Sequence, residues 1–329
     1  MLNMYNCNLI TGIRPTGKIH FGHYFGIIKK IIKLQNKFSC LFFIADLHSL
    51  SNYKNLKNIK LNIKQILIDC LNIGINPKKT ILFIQSKVKE HKELYFFLST
   101  ITSIKLLKHL PNYKYLKKCK KNINNITFTY PLLQASDILI YNTNKVLVGY
   151  DQIPNIEFVK KLSYKFNLKY KKKVFKIPKI ILSNLSNVPG IDGTKMSKSN
   201  KNFIELKESK KNIKKKIKII KTDKKRIYKS IPGNTNKCNI WKYHLIFSNN
   251  NIKNKIKKKC LTAKIGCNNC KIILYNSILK IQKNIFKNKY ININNFKIIK
   301  KILKNNYFKI KKIVKNNIKI IKKIINWNI

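Results

Sequence analysis

The sequence predicts an α/β chain: a parallel sheet with crossover helices over residues 1–202, then an all-helical part over residues 203–329. Three observations carry this prediction. Short, continuously apolar runs at 40–45 and 80–84 read as strands buried on both faces, and they alternate with helix-period stripes. That alternation is what a parallel βαβ sheet requires. From about residue 203 the strand-like runs disappear, leaving helical periodicity with lysine faces in a chain long enough for two units.

The first strand, around residues 7–10, leads into Gly12-Ile-Arg14-Pro15-Thr16-Gly17-Lys-Ile-His20-Phe-Gly22-His23-Tyr-Phe-Gly26, which holds four of the ten glycines and two of the six histidines. A helical stripe, Ile27, Ile28, Ile31 and Ile32, follows. Strand, glycine-rich turn and helix together present backbone N–H groups and a helix N-terminus to phosphate. The glycine spacing is neither that of a P-loop nor GxGxxG. What the turn has instead is His20 and His23, one helical turn apart and able to donate to phosphate oxygens.

The strand at 40–45 ends in Asp46-Leu-His48. A helical stripe of Leu56, Ile59, Ile63, Ile66, Leu67 and Cys70 stops at Gly74 and Pro77. The third strand, 80–84, is followed by a helix over 90–99. Residues 111–127, rich in Lys and Asn, read as an exposed loop. In Tyr130-Pro-Leu-Leu-Gln134-Ala-Ser-Asp137-Ile-Leu139 the proline begins a helix, and Val146-Leu-Val148-Gly149 is strand-like. Asp151 is placed to cap the next helix, which runs to about residue 166. Further on, Pro232-Gly233 and the cysteine-bearing stretch 260–270 break the helices. The tail, 297–327, repeats Ile and Lys at helix spacing and reads as a helix packed on the domain with a solvated basic face, in preference to a membrane-surface helix.

Lys and Arg number 71 against 11 Asp and Glu, a formal charge of +60 that favours a polyanionic partner. Lys, Asn and Ile also crowd nearly every segment, as drift toward AT-rich codons leaves them, so the charge is permissive for RNA binding. Against that background the rare carboxylates at the ends of apolar runs or beside glycines, Asp46, Asp137, Asp151 and Asp192 among them, are candidates for a role. No secretory signal is visible and the longest apolar stretch, 41–45, is far too short to cross a bilayer, so the expectation is a cytoplasmic chain with no membrane partner. Eight cysteines then read as free thiols or metal ligands.

A second motif is Gly190-Ile-Asp-Gly193-Thr-Lys195-Met196-Ser197-Lys198-Ser199-Asn200. Two glycines loosen the loop, and two lysines three apart can clamp a polyphosphate as charge moves onto a departing pyrophosphate. Lys195 to Ser199 is identical to the KMSKS signature of class I aminoacyl-tRNA synthetases, and His20-Phe-Gly-His23 resembles their His-Ile-Gly-His signature, in the right order and about 170 residues apart. Within that class the chain resembles the tryptophanyl-tRNA synthetase family at Gly12 to Gly17, Ala45 to His48, Gln134 to Leu139, Val146 to Gln152 and Val188 to Gly193. Departures are Arg14, where glutamine is common, Ser136, Tyr150 and the Pro154-Asn155 pair.

The resemblance implies a Rossmann-like catalytic domain over 1–202 and a helical anticodon-binding domain plus C-terminal helix over 203–329. It implies two steps: tryptophan attacks the α-phosphate of ATP, with Mg²⁺ on the phosphates, and tRNA(Trp) then takes the acyl group. His20, His23, Lys195 and Lys198 would carry catalysis. Arg14, Pro15, Thr16, Gly22 and His23 would hold ATP from one side. Val188, Lys195, Met196, Ser197, Lys198 and Ser199 would close from the other, with Gly149, Tyr150 and Asp151 at the ribose. Asp137, on a helix wall of Leu132, Leu133, Ile138 and Leu139, is placed to accept the indole N–H, the side chain's only donor. His48, Tyr130, Gln134, Val146, Val148 and Gln152 would surround the amino acid. Family members are homodimers, and that expectation carries over. The sister tyrosine enzyme and a non-charging RNA-binding paralogue are the rival readings.

Cys238, Cys260, Cys267 and Cys270, with intervals of 21, 6 and 2 residues, could offer four thiolates to Zn²⁺ or an iron–sulfur cluster, or be scattered thiols. Some members of the family carry a [4Fe–4S] cluster on a very similar spacing.

Overall fold

Strands β1 (Leu9–Ile13), β2 (Cys40–Ile44), β3 (Thr80–Ile84), β4 (Lys145–Val148) and β5 (Lys179–Leu182) form one fully parallel sheet in the order β3-β2-β1-β4-β5. The computed structural model describes residues 8–51, 58–119, 122–183, 185, 187–198, 200–287 and 296–327. Cys7, Leu56 and Ser199 therefore lie outside the described residues. Because side chains alternate across each strand, Leu9, Phe42, Leu82 and Leu147 enter one core and Ile10, Leu41, Phe43, Phe83, Val146 and Val148 the other. Burial on both faces is why these strands read as unbroken apolar runs.

After β1 come a single turn, α1 (Phe21–His23), a π-helical turn (Tyr24–Ile28) and α2 (Lys29–Leu34). The crossovers are built from α3 (Ile59–Ile73), α4 (Glu90–Ser99), α5 (Ile104–Lys108), α6 (Pro111–Lys118), α7 (Asn125–Leu139) and α8 (Ile153–Lys169). Two expectations fail here. The supposed loop 111–127 holds α6, with Pro111 in its first turn, and the start of α7. The Asn124 side chain accepts the Thr127 N–H at 2.8 Å to cap α7, so Pro131 lies inside that helix instead of beginning it. The proline removes one intrahelical donor, a loss the tertiary packing of α7 offsets. Strand β5 carries no expectation from the sequence. It is a four-residue edge strand with Lys179 and Leu182 exposed, and only the short run Ile180-Ile181-Leu182 announces it.

The remaining helices are α9 (Lys210–Ile219), α10 (Asn239–Phe247), α11 (Asn250–Leu261), α12 (Cys267–Lys287) and α13 (Phe296–Ile324). Helices α9, α10 and α12 share one core with α1–α3 through Ile213, Tyr243, Phe247 and Leu274. The terminal helix crosses to the sheet unit. It buries Ile310, Val314 and Ile321, while Asn306 donates to the Leu82 carbonyl (3.0 Å) and Asn317 to that of Ile140 (2.8 Å). Its lysines line the opposite face. Among the described residues no helix is long and apolar enough to cross a membrane.

Candidate active site

From central β1 the chain moves outward to β2 and β3 on one side and later to β4 and β5 on the other. The crevice beyond the carboxyl ends of β1 and β4 is thus the switch point at which such sheets bind ligands. Gly17 in the first turn has φ +141°, a value that favours glycine. His20 and His23 stack with ring centroids 3.7 Å apart, and a Cβ on Gly22 would stand 2.8 Å from the His20 ring, so glycine is required between them. Burial, then the Lys198 charge, lowers His20 to about 3. His23 is also held well below its ordinary value, by burial, His20, Lys198 and Arg14. Both rings are neutral at physiological pH and act as N–H donors, not cations. The turn is stitched to the start of the helical part: Phe21 N–H donates to Ile204 O (3.1 Å) and Leu206 N–H to Ile19 O (2.9 Å).

Residues 188–198 fold back as a small hairpin over this turn. Met196 N–H donates to Val188 O (2.8 Å) and Gly190 N–H to Thr194 O (2.6 Å). Its hub is Asn202, 2% exposed, whose amide nitrogen lies 2.9 and 3.0 Å from the Asp192 oxygens and 3.1 Å from Lys195 O, while its oxygen accepts Ser197 N–H at 2.8 Å. No motif contains Asn202. The sole sequence cue was a polar residue following a polar loop. Lys198 reaches the Gly17 carbonyl at 2.7 Å, and burial followed by the nearby Arg14 charge lowers it to about 7. Lys195 pairs with Asp151 at 2.8 Å. Asp151 thus does not cap α8: it sits in a turn beyond β4. Burial acts upward on its carboxyl, but hydrogen bonds from Lys195 and Gln152 outweigh it and hold the group below its ordinary value.

Asp137 is completely buried on α7. His48 Nε2 lies 2.9 Å from its Oδ2, and Gln85 donates to the same oxygen at 2.7 Å. The two come from the ends of β2 and β3. Asp46 joins those ends by accepting the N–H groups of Leu47 (3.1 Å) and Ser86 (2.9 Å). Oδ1 has no aligned hydrogen-bond partner and so keeps acceptor capacity. Gln85, missed in the sequence, follows an apolar strand as ordinary loops do. Around the mouth, the Tyr130 ring lies edge-on to His48 with centroids 6.1 Å apart. Gln134 approaches Gln152 at 3.5 Å, and Asn155 donates to both Gln152 (3.0 Å) and the Tyr130 hydroxyl (3.3 Å). Asn155, one of the departures, is therefore part of the constellation. Val146 and Val148 are buried on the α7 side of the sheet. Arg14 and Tyr150 are exposed, Pro15 and Val188 are buried, and Thr16 is half-buried.

The four cysteines offered as possible ligands are not drawn into a metal-holding group: among the described residues no three His, Cys, Asp or Glu side chains are placed to hold a metal ion, although Cys238, Cys260 and Cys267 lie near enough to raise the Cys270 thiol. Cys260 Sγ instead faces Arg226 Nη1 (3.8 Å), and Cys270 Sγ faces His244 Nε2 (3.4 Å). Burial, with the neighbouring thiolates, pushes Cys270 up to about 12, so its thiol is neutral.

The sequence profile of the family described as tRNA synthetases class I (W and Y) matches residues 4–283. The fold, the paired motifs and this match place the chain among the class I aminoacyl-tRNA synthetases. A tryptophan–tRNA ligase of Thermotoga maritima is 36% identical over 286 residues, covering 85% of this chain and 87% of that one. One of Fusobacterium nucleatum is 37% identical over 82% of this chain and 83% of its own. A crystal structure of the Campylobacter jejuni tryptophanyl-tRNA synthetase, complexed with ADP and tryptophan, superposes with a TM-score of 0.84 at 30% identity, covering 97% of this chain and 99% of that one. The chain belongs to the tryptophan–tRNA ligases, and it is an enzyme. The tyrosine alternative is not favoured.

Proposed function

We propose that the crevice activates L-tryptophan with ATP and that the same site passes the aminoacyl group to tRNA(Trp), releasing AMP and diphosphate. The observation that carries this reading is Asp137: a fully buried carboxylate with one oxygen held by His48 and Gln85 and the other, beside His91, without an aligned donor. An indole N–H suits it. Phenylalanine would leave the buried acceptor unpaired, a defect that sites of this kind penalise by factors on the order of 10⁴ to 10⁵. Gln85, Tyr130, Gln152 and Asn155 complete the wall around the amino acid.

ATP enters with Mg²⁺ on its phosphates. Neutral N–H donors on His20 and His23 and the backbone of Arg14 to Gly17 receive the phosphates from below. Lys195 and Lys198 leave Asp151 and the Gly17 carbonyl to meet them from above, and the released Asp151 accepts from the ribose hydroxyls. No side chain becomes covalently attached, because the substrate carboxylate is the nucleophile, so catalysis is positioning and charge stabilisation. The Campylobacter jejuni enzyme, crystallised in complex with ADP and tryptophan, supports both halves of this site.

The protein works as a cytoplasmic homodimer in this reading. Phe96, Ile104 and Tyr115, on α4, α5 and α6, are each more than 60% exposed, which supports an apolar contact surface there. Pyrophosphate exchange with each amino acid tests the main reading: exchange should require tryptophan. Exchange with tyrosine instead, or with neither, would overturn it.

A further inference from the structure

His91 belongs to none of the motifs, yet it is fully buried against the carboxylate on which recognition turns. It enters from α4. Its Nε2 lies 2.7 Å from the Tyr141 hydroxyl and its Nδ1 3.1 Å from Asp137 Oδ1. Burial lowers its pKa, outweighing the nearby Asp137 and Glu90 carboxylates that act the other way, so the ring is neutral and carries one proton. An ionised carboxylate only accepts, so the nitrogen facing it is the protonated one. The proton therefore sits on Nδ1, and Nε2 accepts from Tyr141 O–H, which fixes the tautomer.

The acceptor sites of Asp137 can then be counted. A carboxylate has about four lone-pair positions, two per oxygen. His48 and Gln85 fill Oδ2. Nδ1 of His91 stands at hydrogen-bond distance from Oδ1 but off the line of a bond, so both atoms are buried without an aligned partner. Oδ1 thus has one position toward His91 and one left over.

We propose that His91 is a positioning residue for amino-acid recognition: anchored by Tyr141, it holds the Asp137 carboxylate so that the remaining position of Oδ1 faces the indole N–H. This rests on the reading of Asp137 given above. The unaligned contact closes when the substrate donor engages Oδ1.

The test is pyrophosphate exchange by the full chain with tryptophan and with its benzothiophene analogue, in which sulfur replaces the ring N–H. In His91→Phe and His91→Gln the preference for tryptophan narrows by roughly tenfold to hundredfold, the size of one hydrogen bond to a charged group. The change appears in the KM for tryptophan, while the KM for ATP and the kcat/KM for the analogue stay as in the parent. His91→Asn, whose amide nitrogen stands where Nδ1 stood, restores most of the preference. An unchanged preference in the Phe and Gln variants, an equal fall for both amino acids, or rescue by Gln in place of Asn would each overturn the proposal. Asp137→Leu, which removes the acceptor, separates the two levels. If it too keeps the preference, the reading of Asp137 fails. If it abolishes the preference while the His91 variants keep it, the role of His91 alone fails.

Discussion

The Asp137 pocket and the lysine loop are two halves of one crevice built on opposite physical plans. Asp137 is wholly buried, with its partners drawn from the ends of β2 and β3 and from α4. Lys195 and Asp151 are about half exposed, and Lys198 holds a backbone carbonyl. Contacts of the first kind must exist before substrate arrives, because an unpaired buried charge costs several kcal/mol. Contacts of the second kind are weak enough for phosphate to replace. In the function proposed above, the half assigned to the amino acid is preorganised, and the half assigned to the phosphates is held in place by exchangeable bonds.

Mutations should separate the halves by size and by kinetic constant. Asp137→Ala gives the largest effect, a fall in kcat/KM for tryptophan on the order of 10⁴, measured by pyrophosphate exchange. Comparable activity in that variant would put recognition elsewhere. Lys198→Ala should lower kcat by about 10²- to 10³-fold with little change in the KM for tryptophan, as expected of a group acting on developing charge. Asn202→Ala should resemble the lysine variant at about a tenth of its size, because it displaces the loop without removing a cation. A matching rise in the KM for tryptophan would show instead that the halves are coupled.

The pH dependence gives a gentler probe. Lys198 is lowered to about 7, so the free enzyme loses this cation as pH rises through neutrality. The kcat/KM for ATP should therefore decline above about pH 7, and Lys198→Arg, which keeps its charge, should flatten that limb. Stability runs the other way. An unfolded chain keeps this lysine protonated to its ordinary value, so stability rises with pH between about 7 and that value, and Lys198→Met removes the slope in melts taken across the range. The smallest change is expected from Asp151→Asn, whose exposed pair with Lys195 contributes at most about 1 kcal/mol to stability. A larger loss in denaturant titrations would mean the pair is structural.

The two halves also differed in how far they could be read in advance. The loop was legible because Lys195 to Lys198 are contiguous and their spacing is the chemistry. Asp137 was legible as a lone carboxylate on an apolar helix. Its partners Gln85 and His91, like Asn155 and Asn202, were not, because their importance is a matter of which strand ends converge. The helices hidden at 111–127 and the edge strand β5 were missed for a related reason. A lysine- and asparagine-rich background blurs periodicity where packing on a neighbour, not propensity, decides the element. The cysteine spacing suggests a ligand set that the structure leaves unsupported: Cys260 faces Arg226 and Cys270 faces His244, with no metal-holding group among the described residues.

The sequence by itself determined the parallel α/β plan and singled out the glycine-rich turn, the lysine loop and the Asp137 carboxylate, since each is local in the chain or follows from the alternation of buried strands and helices. Only the tertiary structure decided which polar groups surround Asp137, that Asp151 meets Lys195 instead of capping a helix, and that the last helix supports the sheet through Asn306 and Asn317. Those contacts join residues far apart in sequence. Their geometry is set by the order of the strands and by the need to pair every buried polar group, neither of which is written at any one position.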